Sequence, residues 1–97
     1  MRFEITFAPE AGERYRALEA HIRAEVRDAI ERHLRHEPRK VSKSRIKRLR
    51  GLRRPQYRLR VGDVRVFYDV VEDEVHVLAV VEKARAAEWL AERGTLE

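Results

Sequence analysis

The sequence predicts a small α+β domain, and two patterns carry that prediction. From Tyr57 to Val81 apolar and polar residues alternate through two short turns, the period of half-buried strands. From Tyr15 to Leu34 the apolar residues recur at spacings near 3.6, the period of one helix face: Tyr15, Leu18, Ile22, Val26, Ala29, Ile30 and Leu34. A strand meander with helical segments before and after it should carry its helices on one sheet face and leave the other partly open. The length of 97 residues suits one domain, 1–97, with no internal repeat and no linker.

Each element follows from local residue choice. Arg2 to Phe7 sets Phe3, Ile5 and Phe7 against Arg2, Glu4 and Thr6, a first strand. Pro9 suits a first helical position. The helical region then runs from about Glu10 to Arg35 and stops before Pro38. Its stripe allows one long helix, or two with a tight turn near Glu19 to His21. Ser42 or Ser44 would cap a short helix through Leu49, ending at Gly51 and anchored on Ile46 and Leu49. Gly62-Asp63 reads as a two-residue hairpin turn, with glycine at the position that needs a positive φ. That turn sets Leu59 against Val66 and Arg60 against Arg65. One face then holds Tyr57, Leu59, Val61, Val64, Val66, Tyr68 and Val70; the other holds Arg58, Arg60 and Arg65 beside Phe67. After an acidic turn around Asp73-Glu74, Val75, Val77, Ala79 and Val81 extend the apolar face. Ala84 to Arg93 forms a final helix anchored by Trp89 and Leu90, with Trp89 in the core or at an interface.

Charge is segregated along the chain. There are 22 Lys and Arg against 17 Asp and Glu, a net +5. Between Pro38 and Gly62 stand eleven of those cations and no acid; the remainder is net negative. A solubilising surface mixes both signs, so the separation points to a polyanion or an acidic protein partner. With no cysteine, disulfides, thiolate metal sites and a cysteine nucleophile are excluded. His21, His33, His36 and His76 complete no metal-binding pattern, and no phosphate-binding glycine loop, zinc finger or helix-turn-helix pattern occurs. The N-terminus lacks the apolar run of a leader, and no stretch is long enough to span a bilayer, so a cytoplasmic protein is expected.

The arginines of the second sheet face are the most informative residues. Like charges on paired strands repel, a cost that an anion between them would remove. Arginine's planar fork suits phosphate, and Phe67 offers a surface for a base to stack on. The alternatives are an acidic protein groove, or a face that is merely solvated.

Three runs add a family resemblance: KRLRGL, YRLRVGDVRVFYDVVEDEVHVLAV and EKARAAEWL. Together they resemble the RelE/ParE superfamily of toxins from type II toxin–antitoxin modules, closest in pattern to the RelE branch. The resemblance implies a curved antiparallel sheet packed against a pair of N-terminal helices, with a C-terminal helix. It favours the helix break near Glu19 to His21, and it implies a cognate antitoxin wrapped around the toxin. The RelE branch implies cleavage of mRNA on the ribosome, by attack of a ribose 2′-hydroxyl on the adjacent phosphate, without metal or cofactor. Carried over, Arg65 would hold the scissile phosphate, Arg85 the phosphate or leaving group, and Arg58 would orient the nucleophile. Lys40, Lys43, Arg45, Lys47, Arg48, Arg50, Arg53, Arg54, Arg60, Phe67 and Lys83 would contact RNA or ribosome. DNA would be met only indirectly, through the antitoxin complex, and no membrane is implied. Two positions depart from the branch: a lysine is replaced by Gln56, and a tyrosine of the last helix by Ala91. Arg58 is also a poor base near neutrality. Cleavage would then rely on positioning and charge alone, or on Tyr57 or Tyr68 as substitutes. The resemblance equally allows a ParE-like poison of DNA gyrase that acts by protein binding, or a catalytically weakened member.

Overall fold

The computed structural model describes residues 1–97. Strand β1 (Glu4–Phe7) leads into helices α1 (Pro9–Ala17) and α2 (Ala20–Ala29), and α2 continues as a π-helical turn over Ile30–Leu34. Then come β2 (Ile46–Arg48), β3 (Leu52–Arg54), β4 (Tyr57–Val61), β5 (Val64–Val71), β6 (Glu74–Glu82), α3 (Lys83–Arg93) and β7 (Thr95–Leu96). Five strands form one sheet in the order β1-β6-β5-β4-β2, while β3 and β7 pair separately. The expected α+β architecture is present. The sheet is antiparallel from β6 to β2, but β1 joins β6 in parallel, which makes the whole sheet mixed.

The helical region divides as the family resemblance implies. Leu18 and Glu19 take extended backbone, with ψ of 149° and 147°, and end α1 before α2 starts. Arg23 reaches back and donates to the carbonyls of Leu18, at 3.0 Å, and Arg16, at 3.2 Å. A cation thus satisfies carbonyl groups that the end of α1 leaves open.

The connector differs from expectation. No helix forms between Ser42 and Gly51; the chain makes edge strand β2 instead. Ser42 Oγ does accept from the backbone N–H groups of Arg45 and Ile46, at 3.0 and 3.1 Å, as a capping serine would. A helix there would have only Ile46 and Leu49 to bury. Pairing with β4 puts Ile46 opposite Leu59, buries it, and satisfies backbone groups along the sheet edge.

The β4–β5 hairpin has the expected register. Leu59 faces Val66, Arg60 faces Arg65, and Gly62 turns at φ +57°. The next turn lies one residue earlier than the sequence suggests, at Glu72-Asp73, where Glu72 adopts φ +55°. A bulge follows. Phe67 pairs with Ala79 but Tyr68 with Val77, so Leu78 is an extra residue in β6. The bulge inverts the facing of β6. Val75, Val77 and Val80 enter the main core, while Ala79 and Val81, expected there, pair with Phe67 and Arg65 across the opposite face.

Val26, Ile30 and Leu34 of the helical layer meet Leu59, Val66 and Tyr68 of the sheet in the main core. Helix α3 covers part of the second face, stacking Trp89 on Phe67 with centroids 5.1 Å apart and planes 6° from parallel. Leu59 is fully buried under this layer. Leu59→Ala should therefore destabilise the fold by about 2–5 kcal/mol. Urea denaturation followed by circular dichroism checks this through a lower midpoint.

Candidate nucleic-acid interface

The second sheet face is a field of cations because strand alternation puts every other residue of β2 and β4 there. Lys47 pairs with Arg58 across β2 and β4, and Arg60 pairs with Arg65 across β4 and β5. Arg65 is only 7% exposed, and its guanidinium donates to the carbonyls of Gly62, at 2.8 Å, and Val64, at 3.2 Å. No carboxylate lies within ion-pair distance of it, so backbone dipoles alone hold the charge. Arg58 beside it has a buried Nε with no hydrogen-bond partner. Burial, then the Arg65 charge, then the Arg60 charge lower its pKa from the ordinary arginine value. An unpaired donor next to two other guanidiniums is a place where an anion would be stabilised.

Two clefts open from this face. A cleft of about 290 Å³ is lined by Ser44, Arg45, Arg60 and Gly62. A groove of about 670 Å³ runs between Lys43, Lys47, Arg48, Arg50 and Arg58, with Val41, Ser42, Leu49, Gly51 and Glu97 completing its lining. Arg48 is anchored in place. It donates to the Gln56 carbonyl at 2.8 Å and lies over the Tyr57 ring, 5.3 Å from the centroid.

The other sequence-derived candidates divide. Lys83 and Arg85 are exposed in the first turn of α3, where the Lys83 N–H donates to Asp63 at 2.7 Å and ties that turn to the hairpin end. Arg85 precedes Trp89 by four residues, so it shares that helix face one turn nearer the hairpin. Lys40 is outside both clefts, 3.7 Å from Glu37. Arg53 is exposed on β3, away from them. Arg54 has an internal partner: its Nε is 3.1 Å from Asp69, whose carboxylate is 3% exposed.

Three expectations are overturned. Phe67 cannot stack on a base, because it is fully buried beneath Trp89. Tyr68 cannot supply a proton at the arginine face. It is fully buried in the core, its hydroxyl donates to Pro38 at 2.8 Å, and burial, then Tyr57, push its pKa up. Tyr57 is stacked on Tyr68, with centroids 5.4 Å apart, and covered by Arg48. Gln56 is also engaged. Its Oε1 accepts from Val70 N–H and its own N–H donates to Asp69, each at 2.8 Å.

Glu97 is the site residue that sequence reading missed. It reaches the groove only because β7 pairs with β3, setting Leu96 opposite Leu52, and because its N–H donates to Gly51 at 3.3 Å. Nothing in the local pattern of the last residues signals that long-range pairing.

A helical pair, a mixed sheet and a C-terminal helix make a small α+β domain of RelE/ParE-like fold. Residues 5–87 match the family described as ParE toxin of type II toxin–antitoxin system, parDE, and the chain belongs to that family. No curated protein matches it by sequence. Among solved structures, it is similar to the toxin–antitoxin complex RelBE2 from Mycobacterium tuberculosis. That match has a TM-score of 0.68 and 24% identity over 84% of this chain and 99% of the other. It is similar to the RelB–RelE antitoxin–toxin complex from Methanococcus jannaschii, with a TM-score of 0.65 and 21% identity over 86% and 95%. The YoeB dimer from Staphylococcus aureus matches with a TM-score of 0.58 and 18% identity over 81% and 94%. No helix is long and apolar enough to cross a membrane.

Two predictions follow from these charges. Arg58→Met should raise stability by roughly 1 kcal/mol, because it removes an unsatisfied buried donor and one of three crowded charges. It should also weaken toxicity; thermal melts and a growth assay on inducing expression read the two effects. His33, partly buried, has its pKa lowered below 6.5, first by burial and then by Arg45 and Arg32. The unfolded chain therefore takes up that proton first. His33's contribution is complete above pH 6.5 and is lost as pH falls through the lower folded value. His33→Gln should flatten the loss of melting temperature between about pH 7 and 5.

Proposed function

We propose that this toxin arrests growth by binding DNA gyrase and trapping it on DNA, and that a cognate antitoxin neutralises it by covering the toxin surface. One observation carries the reading: Tyr57 and Tyr68, the side chains expected to move protons at the arginine face, are both engaged elsewhere. Cleavage through a 2′-hydroxyl needs a group to take a proton and a group to give one. Tyr68 is committed to Pro38, Gln56 to Val70, and the Asp69 carboxylate to Arg54 and Gln56. Guanidinium groups do not serve as bases near neutrality. A poison that acts by binding requires only shape and charge, which this face supplies. The match to the ParE family supports the same reading. Arg58, Arg60, Arg65 and Arg85 are then anchoring cations rather than catalysts.

A second reading, ribosome-dependent mRNA cleavage of the RelE kind, draws on one specific feature. The unpaired Arg58 Nε beside Arg65 would suit a phosphate that gains charge in the transition state. In that reading positioning and charge act without a dedicated base. Incubation of the purified protein with gyrase and supercoiled plasmid decides between the two. Accumulated gyrase–DNA cleavage complexes, with mRNA left intact in a ribosome-programmed translation reaction, are expected. Ribosome-dependent cuts in the mRNA, lost in Arg65→Ala, would overturn the proposal.

A further inference from the structure

The groove between the β2–β3 turn and the C-terminal strand has a lining unlike a protein-docking site. Five cations surround it, from Lys43, Lys47, Arg48, Arg50 and Arg58. They come from the connector, from β2, from the turn after it and from β4, so several separate segments supply charge to one groove. Val41 and Leu49 are its only large apolar residues, too few to anchor a folded partner or an amphipathic helix. No aromatic ring lines it, since Tyr57 lies beneath Arg48 and Phe67 beneath Trp89. Grooves for single strands rely on aromatic platforms as well as charge. Cations without platforms suit the regularly spaced phosphates of a duplex.

One acid stands in this groove. Glu97 is seated there by the β3–β7 ladder and by its N–H bond to the Gly51 carbonyl, 3.3 Å away. Its carboxylate makes no ion pair with any of the five cations, so it acts on the groove only by lowering the positive potential there.

We infer that this groove binds the phosphodiester backbone of duplex DNA directly and without base recognition, and that Glu97 attenuates the binding by adding a negative charge to the groove wall. The inference deepens the gyrase reading, since a poison that also holds the DNA of its target would be retained on the gyrase–DNA complex. It departs from the expectation that DNA is met only through an antitoxin.

The test needs the toxin alone. Fluorescence anisotropy of a short labelled duplex, titrated with the full chain at several salt concentrations, gives affinity and salt slope. Glu97→Gln should tighten binding by about two- to five-fold at low salt, the range of one exposed charge pair. Lys47→Ala and Arg50→Ala should each weaken it and make the salt slope shallower by close to one unit. All three residues are exposed, and circular dichroism verifies that the variants fold. An unchanged or weakened affinity in Glu97→Gln overturns the inference. So does equal or tighter binding of a single strand or an RNA of the same sequence. Displacement of the duplex by polyglutamate at matched charge concentration also overturns it, and assigns the groove to an acidic protein. Because gyrase is absent from this assay, the expected titrations together with no gyrase cleavage complexes would support the groove while removing the gyrase reading.

Discussion

The pairing of Arg60 with Arg65 across the β4–β5 hairpin is the constraint on which the rest depends. A two-residue turn at Gly62-Asp63 admits one register, and a slip by one residue would send every side chain of the hairpin to the other face. In the observed register Leu59, Val66 and Tyr68 enter the core while Arg58, Arg60 and Arg65 gather on the opposite side. Core formation and charge clustering are therefore one event. The burial of about half the hairpin's side chains is what holds three guanidiniums close together against their repulsion.

The arginine cluster is stabilised unevenly. Arg65 is buried but answered by two carbonyls of its own turn, so it behaves as part of the hairpin as much as part of the site. Arg58 is answered by nothing at Nε. Arg54, on β3 of the separate two-stranded sheet, is answered by a buried carboxylate and has left the cationic field. A fold that can pair an arginine with Asp69, yet leaves Arg58 unpaired nearby, keeps that charge available for an outside anion.

Much of this was legible in the sequence, for identifiable reasons. Strand alternation and a glycine at the turn are local signals, and they located the hairpin, its two faces and the grouping of Arg58, Arg60 and Arg65. The 3.6 period located the helical layer, while the break at Leu18 and Glu19 came from family resemblance, since the stripe continues across it. Signals that depend on distant residues were not legible. Ser42 makes the bonds of a helix cap, yet Leu59 draws Ile46 into a strand. The Leu78 bulge reverses the facing of Ala79 and Val81 because pairing with β5 overrides strict alternation. Phe67 reads as an open platform until α3 folds back and lays Trp89 on it.

The same long-range contacts change what the site can do. The two tyrosines nearest the arginines in sequence are spent on the core: Tyr68 holds the connector through Pro38, and Tyr57 lies between Tyr68 and Arg48. Gln56 and Asp69 lock the start of β4 to β5. Tyr57, Tyr68, Gln56 and Asp69 are thus consumed in holding the sheet that positions the cations. What surrounds them at the surface is a dense set of cations, suited to holding an anion. A side chain that anchors the scaffold through its only hydroxyl or carboxylate is not free to exchange a proton with substrate, and in this fold the scaffold has the prior claim on Tyr68 and Asp69.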